Sequence, residues 1–146
     1  MRIDFYHLTA RPLERVLPAI CEKLVAGGGR LLVVAGEGQV AALDRDLWAY
    51  SADSFLPHAP AGGARDADQP VLIATSAAAA PNGARNIAIA DGRWRDEALA
   101  FDRVFYFFDG SSIDGARTIW RALKEQAGAE RHYWKQDERG KWVEGP

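Results

Sequence analysis

Short apolar runs alternate with amphipathic stretches along this chain, and the alternation predicts its elements. Ile3 to Leu8 is apolar and rich in β-favouring Ile, Phe and Tyr, which predicts a first strand. Thr9 then stands as an N-cap, and Pro12 falls in the first turn of a helix, where its missing N–H costs little. Leu13, Val16, Leu17, Ile20 and Leu24 trace one face of that helix, with Cys21 on the same side. Pro18 inside it predicts a kink, and Gly27, Gly28 and Gly29 end it. Leu31 to Ala35 is a continuous apolar run, the pattern of a central strand covered on both faces. Gly36 and Gly38 follow, then a helix from about Gln39 to Tyr50. Leu43, Leu47 and Tyr50 share its apolar face, and Trp48 lies one position off, on the shoulder. Ser51, Asp53 and Ser54 favour breaking that helix, and Pro57 biases Leu56 towards an extended backbone.

Ala59 to Gln69 reads as a surface loop, Val71 to Ala74 as a third strand and Ser76 to Arg85 as another loop. Asn86 to Ala90 is a fourth strand, Asp91 and Gly92 a turn, Trp94 to Ala100 a short helix or turn, and Arg103 to Phe108 a fifth strand. A last helix from about Ser112 to Ala127, capped by Ser111 or Ser112 and ended by Gly128, buries Ile113, Ala116, Trp120, Leu123 and Ala127. His132 to Lys135 and Lys141 to Val143 form a hairpin around Glu138-Arg139-Gly140, suited to covering a sheet edge. The whole predicts one α/β domain over residues 1–146: a mostly parallel sheet with right-handed crossovers and flanking helices, Rossmann-like and three-layered, closed by a C-terminal hairpin.

Size and charge narrow the function. A length of 146 residues suits one domain with one sizeable core. The net charge of −2 argues against a chain that envelops nucleic acid electrostatically. No apolar run could span a bilayer, the N-terminus lacks a signal-peptide pattern, and the single Cys21 excludes an internal disulfide, so the expected compartment is the cytoplasm. Cys21 reads as a small core residue.

Candidate chemistry is sparse. His7, His58 and His132 are far apart, one cysteine gives no metal-ligand spacing, and the carboxylates are scattered. The expectation is no catalytic residue, no metal and no cofactor. His58 is expected to fix its loop by hydrogen bonding. Gly36-Glu37-Gly38 sits where doubly wound folds bind nucleotide phosphates, but it lacks a third glycine and a following lysine, and Glu37 would repel phosphate. A nucleotide-binding α/β enzyme is therefore the alternative reading. Two features point instead to binding surfaces. Trp48 and Phe55, with Pro57 beside them, are large apolar groups around a helix end, which either seal the bottom of the core or anchor an interface. Arg117, Arg121 and Lys124 form a basic ridge beside Trp120 on the last helix, which reads either as a solvated amphipathic face or as a receptor for an acidic peptide with an apolar end residue. Phe107 and Phe108, at the strand end, are expected to wall its pocket.

The stretch LDRDLWAYSADSFLPH resembles the signature region of the chi subunit of bacterial DNA polymerase III. The resemblance is carried by Leu43, Asp44, Leu47, Trp48, Ser54, Phe55, Pro57 and His58, and extends more weakly over nearly the whole chain. The tyrosine-tryptophan-lysine and glycine-lysine-tryptophan pieces of the tail are also similar to chi C-termini. The resemblance implies an accessory, non-catalytic subunit of the polymerase III holoenzyme that joins the clamp loader to single-stranded-DNA-binding protein in replication. It implies that Trp48, Phe55 and Pro57 dock the psi subunit or a helicase partner. It implies that Arg117, Trp120 and Arg121, with Lys124 and Phe108, receive the acidic, phenylalanine-ended tail of single-stranded-DNA-binding protein. Trp120 stands where a tyrosine also occurs in the family. DNA would then be reached indirectly. Direct binding of single-stranded DNA through Arg117, Trp120, Arg131, Trp134 and Lys135 is a third reading, opposed by the net negative charge.

Overall fold

The computed structural model describes residues 1–50, 57–77 and 80–145. Ser51, Asp53, Ser54, Phe55 and Leu56 fall outside the described residues. In chain order the elements are β1 (Arg2–His7), α1 (Leu13–Ala26), β2 (Leu31–Val34), α2 (Val40–Ala49), β3 (His58–Pro60), β4 (Val71–Ala74), β5 (Asn86–Ile89), β6 (Arg103–Phe108), α3 (Ile113–Ala122), β7 (Glu130–Gln136) and β8 (Trp142–Glu144). The strands form one sheet in the order β3-β4-β2-β5-β6-β1-β7-β8. Every pairing is parallel except the last, between β7 and β8. This is the mostly parallel α/β sheet with a terminal hairpin that the alternation predicts.

The apolar runs explain the middle of the sheet. All four residues of β2 are fully buried, because both its edges are paired and both its faces are covered. Leu31, Val33 and their neighbours pack with Leu17 of α1 and with Leu43 and Leu47 of α2. Leu32 and Val34 join the other core, with Ala116 of α3. Helices thus cover opposite faces and give three layers.

Several local expectations change. Thr9 does not cap α1: Pro12 occupies the N-cap and supplies no side-chain bond. The turn before the helix is held instead by Gln136 of β7, whose Oε1 accepts the backbone N–H groups of Thr9, Ala10 and Arg11 at 3.0, 2.9 and 3.0 Å. Three donors exceed what one short hydroxyl could satisfy, so a carbonyl from the neighbouring strand takes over. The helix runs unbroken through Pro18. Gly28 ends it with φ +84°, the left-handed region that glycine tolerates. Ser112 holds the N-cap position of α3, but its hydroxyl turns back to Asp109. That helix stops at Ala122 and continues as a 3₁₀ turn over Leu123–Glu125, which leaves Ala127 exposed rather than in the core. The loop expected from Ala59 begins as an edge strand, β3, paired with β4. Tyr50, expected on the buried face of α2, is 39% exposed, because that face ends at Leu47.

Candidate functional site

One face of the sheet carries a small hollow where β1, β6, β7 and α3 meet. Sheet order makes it: β1 lies between β6 and β7, so Phe5, Phe108 and Tyr133 arrive side by side from three distant segments. Ile113, Ala116, Arg117 and Trp120 of α3 close it, leaving a cavity of about 180 Å³. That is below the roughly 300–1,000 Å³ of pockets for drug-sized ligands, on the scale of one large side chain. The aromatic walls brace one another. Trp120 meets Phe5 edge-on at 5.1 Å and Tyr133 at 6.2 Å, and Phe108 lies 6.3 Å from Phe5.

Charge surrounds this apolar hollow. Arg117 is exposed at its rim and, among the described residues, makes a loose 3.8 Å ion pair with Asp114. Arg121 follows one turn on, and Lys124 sits in the 3₁₀ turn; both are exposed and neither lines the hollow. Arg131 stands 4.3 Å over the Trp120 ring and donates to the Trp120 carbonyl, fixing the indole from the far side. Behind the wall, the His7 ring stacks on Phe108 at 4.9 Å and its Nδ1 shares a 3.0 Å hydrogen bond with the Tyr133 hydroxyl. Burial, and then the Arg117 charge, hold the His7 pKa below its ordinary value. At neutral pH the local positive charge therefore belongs to the arginines.

The structure thus brings together Phe108, Trp120 and Arg117 of the residues expected from sequence. Phe107 is not a wall. Neighbouring strand residues point to opposite faces, and Phe107 packs with Tyr6 in the other core. Phe5 and Tyr133 were not singled out by their sequence context. Phe5 lies within the first strand and Tyr133 within the tail piece similar to chi C-termini, but neither context points to this hollow, and the placement of β1 beside β7 brings them to α3.

A second surface lies at the end of α2. Trp48 is 54% exposed, with its ring 4.5 Å from that of His58. His58 is buried, and its Nε2 sits 3.1 Å from both the Asp44 carbonyl and the Asp44 Oδ1, tying β3 to α2. This is the fixing role expected of it. Pro57 is half-buried beside it, and Phe55 lies outside the described residues. Trp48 and Tyr50 are two of the three large hydrophobic residues exposed among the described residues.

The crevice at the carboxyl ends of the strands, about 550 Å³, is where a nucleotide would bind in such a sheet. Its lining includes Glu14, Asp91 and Asp109 against the single cation Arg11. Burial raises the Asp91 pKa, but Arg95 and the Arg93 N–H outweigh it and leave Asp91 below its usual range. Ser111 draws Asp109 down likewise. Asp91 is paired with Arg95, and Asp109 with Glu14 leaves the crevice an acidic balance that disfavours phosphate. Gly36 donates its N–H to Gln39 Oε1, so that turn also spends a donor internally. Cys21 is fully buried, and burial pushes its thiol up to about 12, which keeps it unreactive. Among the described residues, no group of three or more His, Cys, Asp or Glu side chains could hold a metal ion, and no helix is long and apolar enough to cross a membrane.

The family model for the DNA polymerase III chi subunit, HolC, matches residues 1–130 of the chain. The match spans Trp48, Pro57, Phe108, Arg117 and Trp120, and ends at the first residue of β7. No curated protein matches the chain.

Proposed function

The chain belongs to the DNA polymerase III chi-subunit family, an accessory subunit of the replication machinery, and we propose that within it this protein is an adaptor without chemistry of its own. One surface, around Trp48, Pro57 and Phe55, docks psi and through it the clamp loader; a helicase partner is the other occupant of the same surface. The second surface takes the acidic C-terminal tail of single-stranded-DNA-binding protein. The terminal phenylalanine ring of that tail enters the hollow between Phe5, Phe108 and Trp120. Arg117, with Arg121 and Lys124 further along α3, meets the carboxylates. DNA is reached through that protein, and the work is done in the cytoplasm.

One observation carries this reading: an aromatic hollow the size of one side chain has an unburied arginine at its mouth. Guanidinium groups suit carboxylates because their fork matches the two oxygens. Two separate surfaces are what a linker needs, since the gain in effective concentration requires both to be occupied together. The nucleotide reading has no such support, because its crevice carries the wrong charge.

The test is a titration of a labelled acidic peptide ending in Pro-Phe into wild type, Arg117→Ala and Arg121→Ala. Loss of a charge-assisted contact weakens binding by about 1–3 kcal/mol, most at Arg117. Added salt weakens wild-type binding as well. Equal affinity in all three proteins overturns the assignment.

A further inference from the structure

On the opposite face of the sheet, a second groove runs between α1 and the C-terminal hairpin. Its volume is about 620 Å³. It is lined by α1 on one side and by Gln136 of β7, Gly140 and Trp142 of β8 on the other, with the buried rings of Tyr6 and Phe105 as its floor. Four cations line it: Arg11, Arg15, Lys23 and Arg103. No aspartate or glutamate is among its described lining residues. In a chain of net charge −2 this is a concentrated local excess. The buried Asp4, on the same face of β1 as Tyr6, pairs with Arg103 at 3.1 Å and with Arg2, while Arg11, Arg15 and Lys23 also line the groove.

The groove also offers apolar purchase. Ile20 and Leu24 of α1 and Trp142 of β8 are only partly buried along it. Arg103 is held flat over the Phe105 ring at 4.3 Å, so its charge stays at the floor. Arg11 is held at the far end by the hairpin turn, donating to the Arg139 carbonyl at 3.1 Å.

We propose that this groove binds an extended acidic peptide segment bearing an apolar residue between two carboxylates, at a surface separate from the α3 hollow. Spacing supports the extended form. Arg15 and Lys23 are two turns apart on α1, about 12 Å at 1.5 Å per residue. An extended chain covers that distance in about four residues at roughly 3.3 Å each. Carboxylates four residues apart meet both cations, and the side chain midway between them drops onto Ile20, Leu24 and Trp142. Single-stranded nucleic acid fits less well, because it needs exposed rings for stacking. Tyr6 and Phe105 are buried, and only Trp142 is half open.

The experiment titrates a fluorescein-labelled, C-terminally amidated peptide, Glu-Glu-Ser-Leu-Ser-Glu-Glu, into the full chain, read by anisotropy. Amidation and the absence of phenylalanine remove the terminal carboxylate and the ring that the α3 hollow takes, and a variant of α3 tests for the remaining carboxylate contacts. The double variant Arg15→Glu, Lys23→Glu changes exposed helix positions, and its circular dichroism should match wild type. The expected result is a rise in Kd of at least about tenfold in that variant, as a like-charge juxtaposition produces. Arg117→Glu with Arg121→Glu should leave the Kd unchanged. Absence of binding to wild type overturns the proposal, as does an unchanged Kd in the α1 variant. So does loss of binding in the α3 variant, which places the peptide in the other hollow. Tighter binding of labelled oligothymidylate, lost in the α1 variant, makes the groove a nucleic-acid surface and also overturns it.

Discussion

Trp134 donates its indole N–H to the fully buried carboxylate of Asp4 across 2.9 Å. Asp4 lies on β1 and Trp134 on the neighbouring β7, so the bond crosses the junction that places β7 beside β1. Arg2 and Arg103 complete the arrangement with Nε donors at 3.1 Å. A carboxylate without solvent persists only because three donors converge on it.

Removing that carboxylate leaves two guanidinium groups facing each other over an apolar floor. Asp4→Ala is expected to cost about 2–3 kcal/mol, less than in a wholly buried pair, because Arg2 and Arg103 are part-exposed and can turn to water. Trp134→Phe removes one donor and keeps most of the ring, with an expected cost of about 1–2 kcal/mol. Urea unfolding measures both. Equal small losses would mean that the cluster adds nothing beyond packing.

Gln136, two residues beyond Trp134 at the end of β7, has the same structural character. Its Oε1 accepts three N–H groups, so the amide cannot be turned over without setting donors against donors. Gln136→Leu keeps the volume and removes the acceptor. A loss of about 2–3 kcal/mol is expected from the stranded backbone donors. Hydrogen exchange should speed at Thr9, Ala10 and Arg11 in particular. Unchanged protection there would show that the turn stands without β7.

His132 gives the hairpin a pH dependence. Its Nδ1 is 2.7 Å from Glu144 Oε1, joining β7 to β8. The Glu144 carboxylate raises the His132 pKa above its ordinary value. A raised folded-state pKa stabilises the protonated form, so the contribution is fully present below about 6.5 and fades as pH rises through the higher folded value. NMR titration should place the His132 midpoint above about 6.5, and Glu144→Gln should bring it back. A midpoint that ignores that substitution would remove Glu144 as the cause.

The interior of the sheet was legible because β2, β4, β5 and β6 are runs of apolar residues bounded by turns. Their polar residues, Asn86 and Arg103, stand only at strand starts, so the buried positions that follow form an unbroken apolar pattern. β3 was not legible, because three residues ending in Pro60 at a sheet edge give no periodicity. The α3 ridge could be read from spacing within one helix. The hollow beneath it could not, since Phe5 and Tyr133 join it only through strand order. The error at Phe107 has a simpler origin: two adjacent aromatics on a strand cannot share a face.

β1 is the partition between the two recessed surfaces. Phe5 looks into the α3 hollow with His7 behind it, while Asp4 and Tyr6 support the cationic groove. A six-residue strand therefore carries two interleaved messages on one backbone. A substitution scan along Arg2–His7 should separate them by parity: odd positions perturb ligands on the α3 side, and even positions perturb ligands on the α1 side.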